Sequence, residues 1–397
     1  MTKKKIAILG STGSIGRTSL NILQSNKKEF KILLLSANSN FLLINNQIKK
    51  FKPKIFVINN PEVFNKISKK YKNNKIKILN KFSQIPSNIK FDITISAIVG
   101  IAGLEPTIQF TKVSKKVLLA NKESIICGWH ILKNIAKKNK TKMIPVDSEH
   151  FSIKQLTKDH KDDDIKKIYI TASGGPFLRK TLKSFKKINA TEASKHPKWK
   201  MGKKISIDSS NLMNKTLEII EAYRLFPFDP KKYEIIIHPQ SLVHAIVFFK
   251  NGQSKFLYHE TDMKIPIANA IYDNNLDISN LLKKKNNLLS NLKFLKFEKV
   301  DKKRFPIVTL LNDKILKNSA PIILNASNEI LVDSFIKNKI PYNEIYRYLK
   351  RVFKDRDFNK YAIKKTPNIN EIYKIDDWAR KKTIDIIRKK NNEKYFY

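Results

Sequence analysis

One cysteine, Cys127, in 397 residues excludes an intramolecular disulfide framework and any cysteine-rich zinc or iron-sulfur site, and fits a reducing compartment. A cytoplasmic protein is expected. No apolar run approaches the roughly 18 to 20 residues that a membrane helix needs. The opening MTKKKIAILG passes from lysines directly into a strand pattern, so neither a membrane span nor a signal peptide is expected. Carboxylates are few beside cations: 34 Asp+Glu against 79 Lys+Arg give a formal net charge of +45. Arginine is scarce too, nine of those cations, and the lysines are scattered in ones, twos and threes among abundant Asn and Ile. Those three residues share A/T-rich codons, so the excess reads as base composition rather than a clustered nucleic-acid surface. Nonspecific adsorption to anionic polymers is still expected. What is present suits a folded chain: 41% hydrophobic and 10% aromatic content, with length for two or three domains.

The first half alternates short β-rich runs with helical patterns. KIAILG (5–10), FKILLLSA (30–37), KIFVIN (54–59), KIKIL (75–79), DITISAI (92–98), KKVLLA (115–120) and TKMIPVD (141–147) predict the strands of a doubly wound parallel sheet. KKIYITAS (166–173), YEIIIHP (233–239) and LVHAIVFF (242–249) predict strands of a second, α+β region. The expected organisation is a Rossmann-like domain over 1–147, a central α+β catalytic domain over 148–272, a linker over 273–300 and a helical bundle over 301–397. In the last, Ile372, Ile375, Ala379 and Ile386 recur at helical spacing.

Directly after the first strand, GSTGSIG places Gly10, Gly13 and Gly16 at three-residue spacing before a helix beginning near Ser14. Residues without Cβ let backbone N–H groups approach a pyrophosphate lying at the positive end of the helix, so this is a dinucleotide-site signal. The end of the second strand should carry an acid for the ribose of NAD or a cation for NADP. It reads Ser36, Ala37, Asn38, Ser39, Asn40, with no carboxylate to repel a phosphate, which favours NADP.

Three further segments concentrate chemistry. PVDSEHF puts Asp147 and Glu149 two residues apart at a strand end, where an extended chain would point both carboxylates to one side. KISIDSSNLMNKTLEIIEAYRLF reads as a strand turning into a helix, with Asn214 and Glu218 on one face and Lys215 beside them. Glu218 supplies a third carboxylate, and three oxygen ligands with open positions suit magnesium or manganese. ITASGGPF offers Ser173 and two glycines to an anion, a clamp that Ser209, Asn214 and Lys215 could complete. HPKWKMG places His196, Trp199 and Met201 in a loop before that strand, able to close over a ligand. Lys122, in LLANKES, is a candidate cationic partner for an oxygen near the metal.

GSTGSIG, AIVGIAGLEPT, LLANKES, PVDSEHF, TASGGPF, HPKWKMGKKISIDSSNLMNKTLE, HPQSLVHA, DMKIPIA and LNASNE, collinear over nearly the whole chain, resemble the 1-deoxy-D-xylulose-5-phosphate reductoisomerase family. The resemblance implies an NADPH-dependent homodimer using Mg2+, Mn2+ or Co2+, which converts 1-deoxy-D-xylulose 5-phosphate (DXP) into 2-C-methyl-D-erythritol 4-phosphate (MEP) for isoprenoid synthesis. It implies rearrangement by retro-aldol and aldol steps, then reduction of the aldehyde. Asp147, Glu149 and Glu218 match the metal ligands. Ser173, Ser209, Asn214 and Lys215 match phosphate contacts, with Ser148, His196 and Trp199 also on the substrate side. Lys122, Glu149 and His196 match catalytic positions, and Trp199 and Met201 the cover of a lid. The cofactor positions matched are Gly10, Thr12, Gly13, Ser14, Ile15, Gly16, Asn38, Asn121, Glu123, Gly202 and Met263. The chain departs from the family in having Ala37 and Asn38 where glycine and a basic residue are common, and Asn269 where histidine is common.

Two other readings bound this one. An NADP-dependent oxidoreductase of another phosphorylated sugar or semialdehyde would share the glycine turn, but its hydride transfer would survive EDTA. A nucleic-acid-binding protein would show steep salt dependence without NADPH binding. The resemblance points to a phosphorylated ketose as the partner, with no specific nucleic acid and no membrane.

Overall fold

The computed structural model describes residues 2–199, 201–282 and 292–393. They fall into two compact units: Met1–Ser124, Trp129–Phe151 and Asp262–Asn286 in the first, and Ile125–Gly128, Ser152–Thr261 and Asn287–Tyr397 in the second. Neither is continuous in sequence. Among the described residues no helix is long and apolar enough to cross a membrane.

The first unit alternates strand and helix: β1 Lys4–Leu9, α1 Ser14–Ser25, β2 Phe30–Ala37, α2 Phe41–Phe51, β3 Ile55–Ile58, α3 Pro61–Lys70, β4 Lys77–Leu79, β5 Phe91–Ser96, α4 Leu104–Thr111, β6 Ser114–Leu119, α5 Lys122–Lys138, β7 Lys142–Pro145 and the start of α6 Ser148–Leu156. The strands pair in parallel in the order β4-β3-β2-β1-β5-β6-β7, the doubly wound sheet expected. Pleating sends Ile6 and Ile8 into one core layer and Ala7 and Leu9 into the other, so β1 is apolar on both faces. Asn40, Asn60 and Asn121 cap α2, α3 and α5, each side chain accepting from a backbone N–H three residues on. Such a cap stabilises a helix by about 1 kcal/mol.

The second unit is built on a five-stranded mixed sheet, order β11-β10-β8-β9-β12. Its strands are β8 Ile165–Ala172, β9 Tyr233–Ile237, β10 Val243–Phe249, β11 Ser254–Tyr258 and β12 Glu298–Lys299. Helices α7 Ala190–Ala193, α8 Lys203–Ser210 and α9 Met213–Leu225 precede β9. Next in the chain comes α10 Lys264–Tyr272, which belongs to the first unit: Ile267, Ala268 and Ile271 join the core of the parallel sheet. The remaining helices, α11 Asp313–Leu316, α12 Ala320–Ile336, α13 Glu344–Phe353, α14 Phe358–Ala362 and α15 Ile369–Glu393, make the helical C-terminal region.

Three local expectations are corrected. Lys203–Ser210 is a helix and not the strand expected: only Ile205 and Ile207 alternate there, and Ser206 to Ser210 are buried consecutively, which a strand with one solvated face would not show. On α15 the buried stripe runs Ile372, Ile375, Ala379, Thr383, Ile387, whereas Ile386 is half-buried at its edge. The helical period of 3.6 carries the stripe to 387. Of the predicted linker, residues 283–291 lie outside the described residues, and Glu298–Lys299 is a short strand paired with Ile237 and Ile236. Two residues are too few to show a pattern.

Candidate active site

In the first unit the chain order reverses beside β1, between β2 and β5, the place where doubly wound sheets bind ligands at their carboxyl ends. The glycine turn sits there. Gly10 has φ 84°, and a Cβ on it would lie 2.6 Å from the Ala97 carbonyl oxygen after β5. Gly16 is needed for closeness alone: a Cβ would lie 2.6 Å from Ser11 Cα, so glycine lets α1 start against the turn. Gly13 is the N-cap of α1 with no side-chain cap, and the first turn carries no acid. Thr12, Gly13, Ser14 and Ile15 are exposed or half-buried, leaving a helix N-terminus suited to an anion.

Buried polar groups missed by the sequence reading brace this turn. Ser11 Oγ donates to Gln47 Oε1 at 2.6 Å, and Gln47 Nε2 donates back to the Ser11 carbonyl at 2.8 Å. Ser36, near the end of β2, is 2% exposed and accepts from Gly10 N at 3.0 Å. Asn40 is occupied in capping α2. Asn38 stands exposed just beyond β2. Asn121, 2% exposed, donates to the carbonyls of Ile98 and Gly100 and to Glu123, tying the loop after β6 to the loop after β5. Met263 packs half-buried against the same core as Ile15. Asn269, the departure noted on α10, turns back on its own helix, donating to the Ile265 carbonyl at 2.8 Å.

The acidic pair follows β7, but not in an extended chain. Asp147 accepts Phe151 N on its carbonyl at 2.8 Å and Glu149 N on its carboxylate at 3.3 Å, so α6 begins at once and Glu149 stands in its first turn. The two carboxylates therefore owe their positions to a strand-to-helix turn, not to pleating. Glu149 is 8% exposed and accepts from Ser148 Oγ at 2.6 Å. Lys122 Nζ lies 3.8 Å from Asp147 Oδ2, which makes its side chain part of this cluster rather than a solvent-facing lysine. His150, fully buried, places Nδ1 3.5 Å from Asp147 Oδ1. That histidine was also missed; one helical turn separates it from Asp147, a spacing invisible while the segment is read as extended.

In the second unit a polar cradle forms around α8 and α9. Gly174 and Gly175 take φ 80° and 66°, and a Cβ on Gly175 would lie 2.7 Å from Ser210 Cα and 3.0 Å from the Ser209 carbonyl oxygen. The glycine loop thus rests directly on the end of α8. Ser173 Oγ is 2.9 Å from His196 Nε2 and accepts from Gly175 N at 3.1 Å. His196 Nδ1 accepts from Trp199 N at 2.9 Å, so the neutral ring carries its proton on Nε2 and donates to Ser173. Trp199 meets His244 edge to face at 6.0 Å, and Gly202 and Met201 follow at the entry to α8. Leu212 holds the left-handed conformation, φ 67°, between α8 and α9. On α9, Asn214 Nδ2 and Lys215 Nζ both reach Glu218, the lysine at 2.8 Å, and Glu218 is 1% exposed. The first turn of α9 contains no acid, so this helix start is also suited to an anion.

A parallel doubly wound sheet with a glycine-cradled helix start, and buried carboxylates partnered by lysines, define a dinucleotide-dependent α/β enzyme. Comparison with known proteins narrows that class. Family models described as 1-deoxy-D-xylulose 5-phosphate reductoisomerase, its C-terminal domain and the DXP reductoisomerase C-terminal domain match residues 6–128, 143–226 and 259–382. The reductoisomerase of Pelagibacter ubique (strain HTCC1062) is 45% identical over 95% of this chain and 97% of its own. That of Wolbachia pipientis wMel is 39% identical over 95% and 96%. A crystal structure of DOX-P reductoisomerase with NADPH, fosmidomycin and magnesium superposes with TM-score 0.89, at 32% identity, covering 97% of this chain and 98% of that one. The Zymomonas mobilis enzyme with NADPH gives 0.87 at 30% identity, covering 97% and 99%. The chain belongs to the 1-deoxy-D-xylulose 5-phosphate reductoisomerase family. It is an NADPH- and metal-dependent oxidoreductase that converts DXP into MEP.

Proposed function

We propose that this reaction is divided among the chain's residues as follows. Asp147, Glu149 and Glu218 share one divalent cation, Mg2+ or Mn2+, with Co2+ a further candidate. The donor chemistry fits: all ligands are carboxylate oxygens, the hard set such ions select. The turn from Gly10 to Gly16, with Thr12, Ser14 and Ile15, takes the NADPH pyrophosphate. Asn38 faces the additional phosphate by hydrogen bonding where relatives use a charge, and Asn121, Glu123, Gly202 and Met263 bound the rest of the cofactor. The crowding that a Cβ at Gly10 or Gly16 would cause supports that cradle.

Ser173, the two glycines, Ser209, Asn214 and Lys215 hold the phosphate of DXP, whose binding far from the reacting carbons orients them. The His196 proton on Nε2 fixes Ser173, leaving the serine's own O–H to donate to a phosphate oxygen. When bound, the cation acts as a Lewis acid on vicinal substrate oxygens and NADPH supplies hydride. Lys122, beside Asp147, adds positive charge to the same oxygens, and Ser148 orients Glu149, which with Lys122 and His196 is placed to hold or move protons. Trp199 and Met201 cover the site and keep water from a reactive enolate.

The observation that carries this reading is the pair of buried acids, Glu149 and Glu218, each engaged by a polar partner; buried carboxylates are costly unless paired or ligating. Its test is NADPH oxidation with DXP and Mg2+ or Mn2+. The parent chain is expected to turn over, and Glu218→Gln to lose at least ~1,000-fold in kcat. Equal rates in both would remove Glu218 from the metal. The working unit in this reading is a homodimer in the cytoplasm. Supporting the dimer, β11 is an open sheet edge, and Phe248 and Phe256 on the sheet are 39% and 49% exposed. A monomer mass in light scattering would contradict it.

A further inference from the structure

The motif LNASNE, which lies in α12, has no part in the assignments above. Asn328 is fully buried there, and its Nδ2 donates to Asp208 Oδ1 at 2.8 Å across to α8. Asp208 is 1% exposed, and its other oxygen accepts from Lys204 Nζ at 3.0 Å. A carboxylate in the last turn of a helix opposes the macrodipole, which offsets what the i,i+4 pair with Lys204 contributes to α8. The helix is eight residues long with no side-chain cap at Gly202, too short to hold its place by propensity. Tertiary anchors must place it, and the Asn328–Asp208 bond is a buried, charge-assisted one. On α8, Ser206 Oγ, and on α12, Asn325 Oδ1, Ser327 Oγ and Asn328 Oδ1 are buried without a protein partner among the described residues, so these atoms add no hydrogen bond to the Asn328–Asp208 tie. Ser209 follows Asp208 immediately, and its carbonyl is where the Gly175 loop rests.

We propose that Asn328 is a positioning residue for the substrate's phosphate: through Asp208 it sets α8, and hence Ser209, against the Gly174–Gly175 loop. The inference rests on the phosphate assignment made above. The carboxamide never touches substrate; it acts by fixing where the hydroxyl of Ser209 stands.

Steady-state kinetics of the full-length enzyme test it. Asn328→Asp sets two carboxylates against each other, and is expected to raise KM for DXP about tenfold with kcat and KM for NADPH changed less than about threefold. The exchange Asp208→Asn with Asn328→Asp restores one donor and one acceptor while leaving an amide oxygen for Lys204, and is expected to recover most of that loss. Should Asn328→Asp fail to fold, Asn328→Ser, which shortens the donor, carries the same comparison. An unchanged KM for DXP, or a parallel fall of every parameter with thermal stability and no recovery in the exchange, overturns the proposal. Ser209→Ala is measured beside them. No effect there overturns the phosphate assignment itself, whereas a raised KM there with a normal KM in Asn328→Asp overturns only the positioning role.

Discussion

The two units hold their site residues by different means. In the first, the glycine turn is fixed by a parallel sheet buried on both faces, with Gln47 and Ser36 bracing it through buried hydrogen bonds. In the second, the cradle depends on side-chain pairings: Ser173 with His196 between two loops, Asn328 with Asp208 between two helices, and Asn214 and Lys215 with Glu218 within α9. A nonpolar sheet sets a site by hydrophobic burial, which tolerates exchange of similar apolar groups. Buried polar pairs set one by directional bonds, which do not.

That contrast can be broken most sharply at two glycines. Gly10→Ala meets the Ala97 carbonyl at positive φ, and Gly175→Ala meets Ser210 in the same conformation. Each is expected to cost about 2 to 3 kcal/mol, roughly 100-fold in affinity. The first loss should fall on NADPH binding by fluorescence titration, and the second on KM for DXP. If both fell on the same ligand, the division of labour between the units would be wrong. A smaller effect is expected at Lys116, a buried lysine whose Nζ donates to the carbonyls of Ala270 and Ile271 at 3.0 and 3.1 Å, closing the end of α10. Its other partner, Asp273, has a side chain 68% exposed, so the ion pair itself adds little. Lys116→Met should lower stability by about 1 to 2 kcal/mol in denaturant melts. A loss well beyond that range would make the ion pair, and not the carbonyl bonds, the dominant contribution.

The smallest expected effect concerns pH. Burial holds the His238 imidazole below the usual histidine range, against the opposing pull of its bond to the Lys296 carbonyl. The unfolded chain then binds a proton at a pH where the folded one does not. Stability is therefore full above about pH 6.5 and declines as pH falls from there toward the depressed folded value. His238→Asn should flatten that part of the melting-temperature profile; an unaltered slope would assign it to other groups.

The same contrast explains what the sequence made legible. All seven parallel strands could be read because each is a short β-rich run between helical patterns, and the turn from Gly10 to Gly16 because its spacing is local. Asp147, Glu149, Lys122, Ser173 and Glu218 stood out by residue type and motif. The extended geometry inferred for Asp147 and Glu149 failed because the helix starts one residue after Asp147, and backbone capping leaves no hydrophobic trace. The strand expected at Lys203–Ser210 failed because two isoleucines are too few to set a period, and Ser206 and Asp208, which pass for the solvated face of a strand, are buried in a helix. Gln47, Lys116 and His150 were passed over for a related reason: a polar residue in a helix or strand pattern looks solvated until its distant partner is known. β11, with three of five residues exposed, lacked the apolar alternation that marks a half-buried strand.

The central claim is that Asp147, Glu149 and Glu218 bind one divalent ion together. Mn2+ titration followed by electron paramagnetic resonance, on the parent chain and on Asp147→Asn, Glu149→Gln and Glu218→Gln, tests it without relying on turnover. The account predicts one site per chain in the parent, weakened at least about tenfold by each substitution. Mn2+ bound as tightly by Glu218→Gln as by the parent would contradict it.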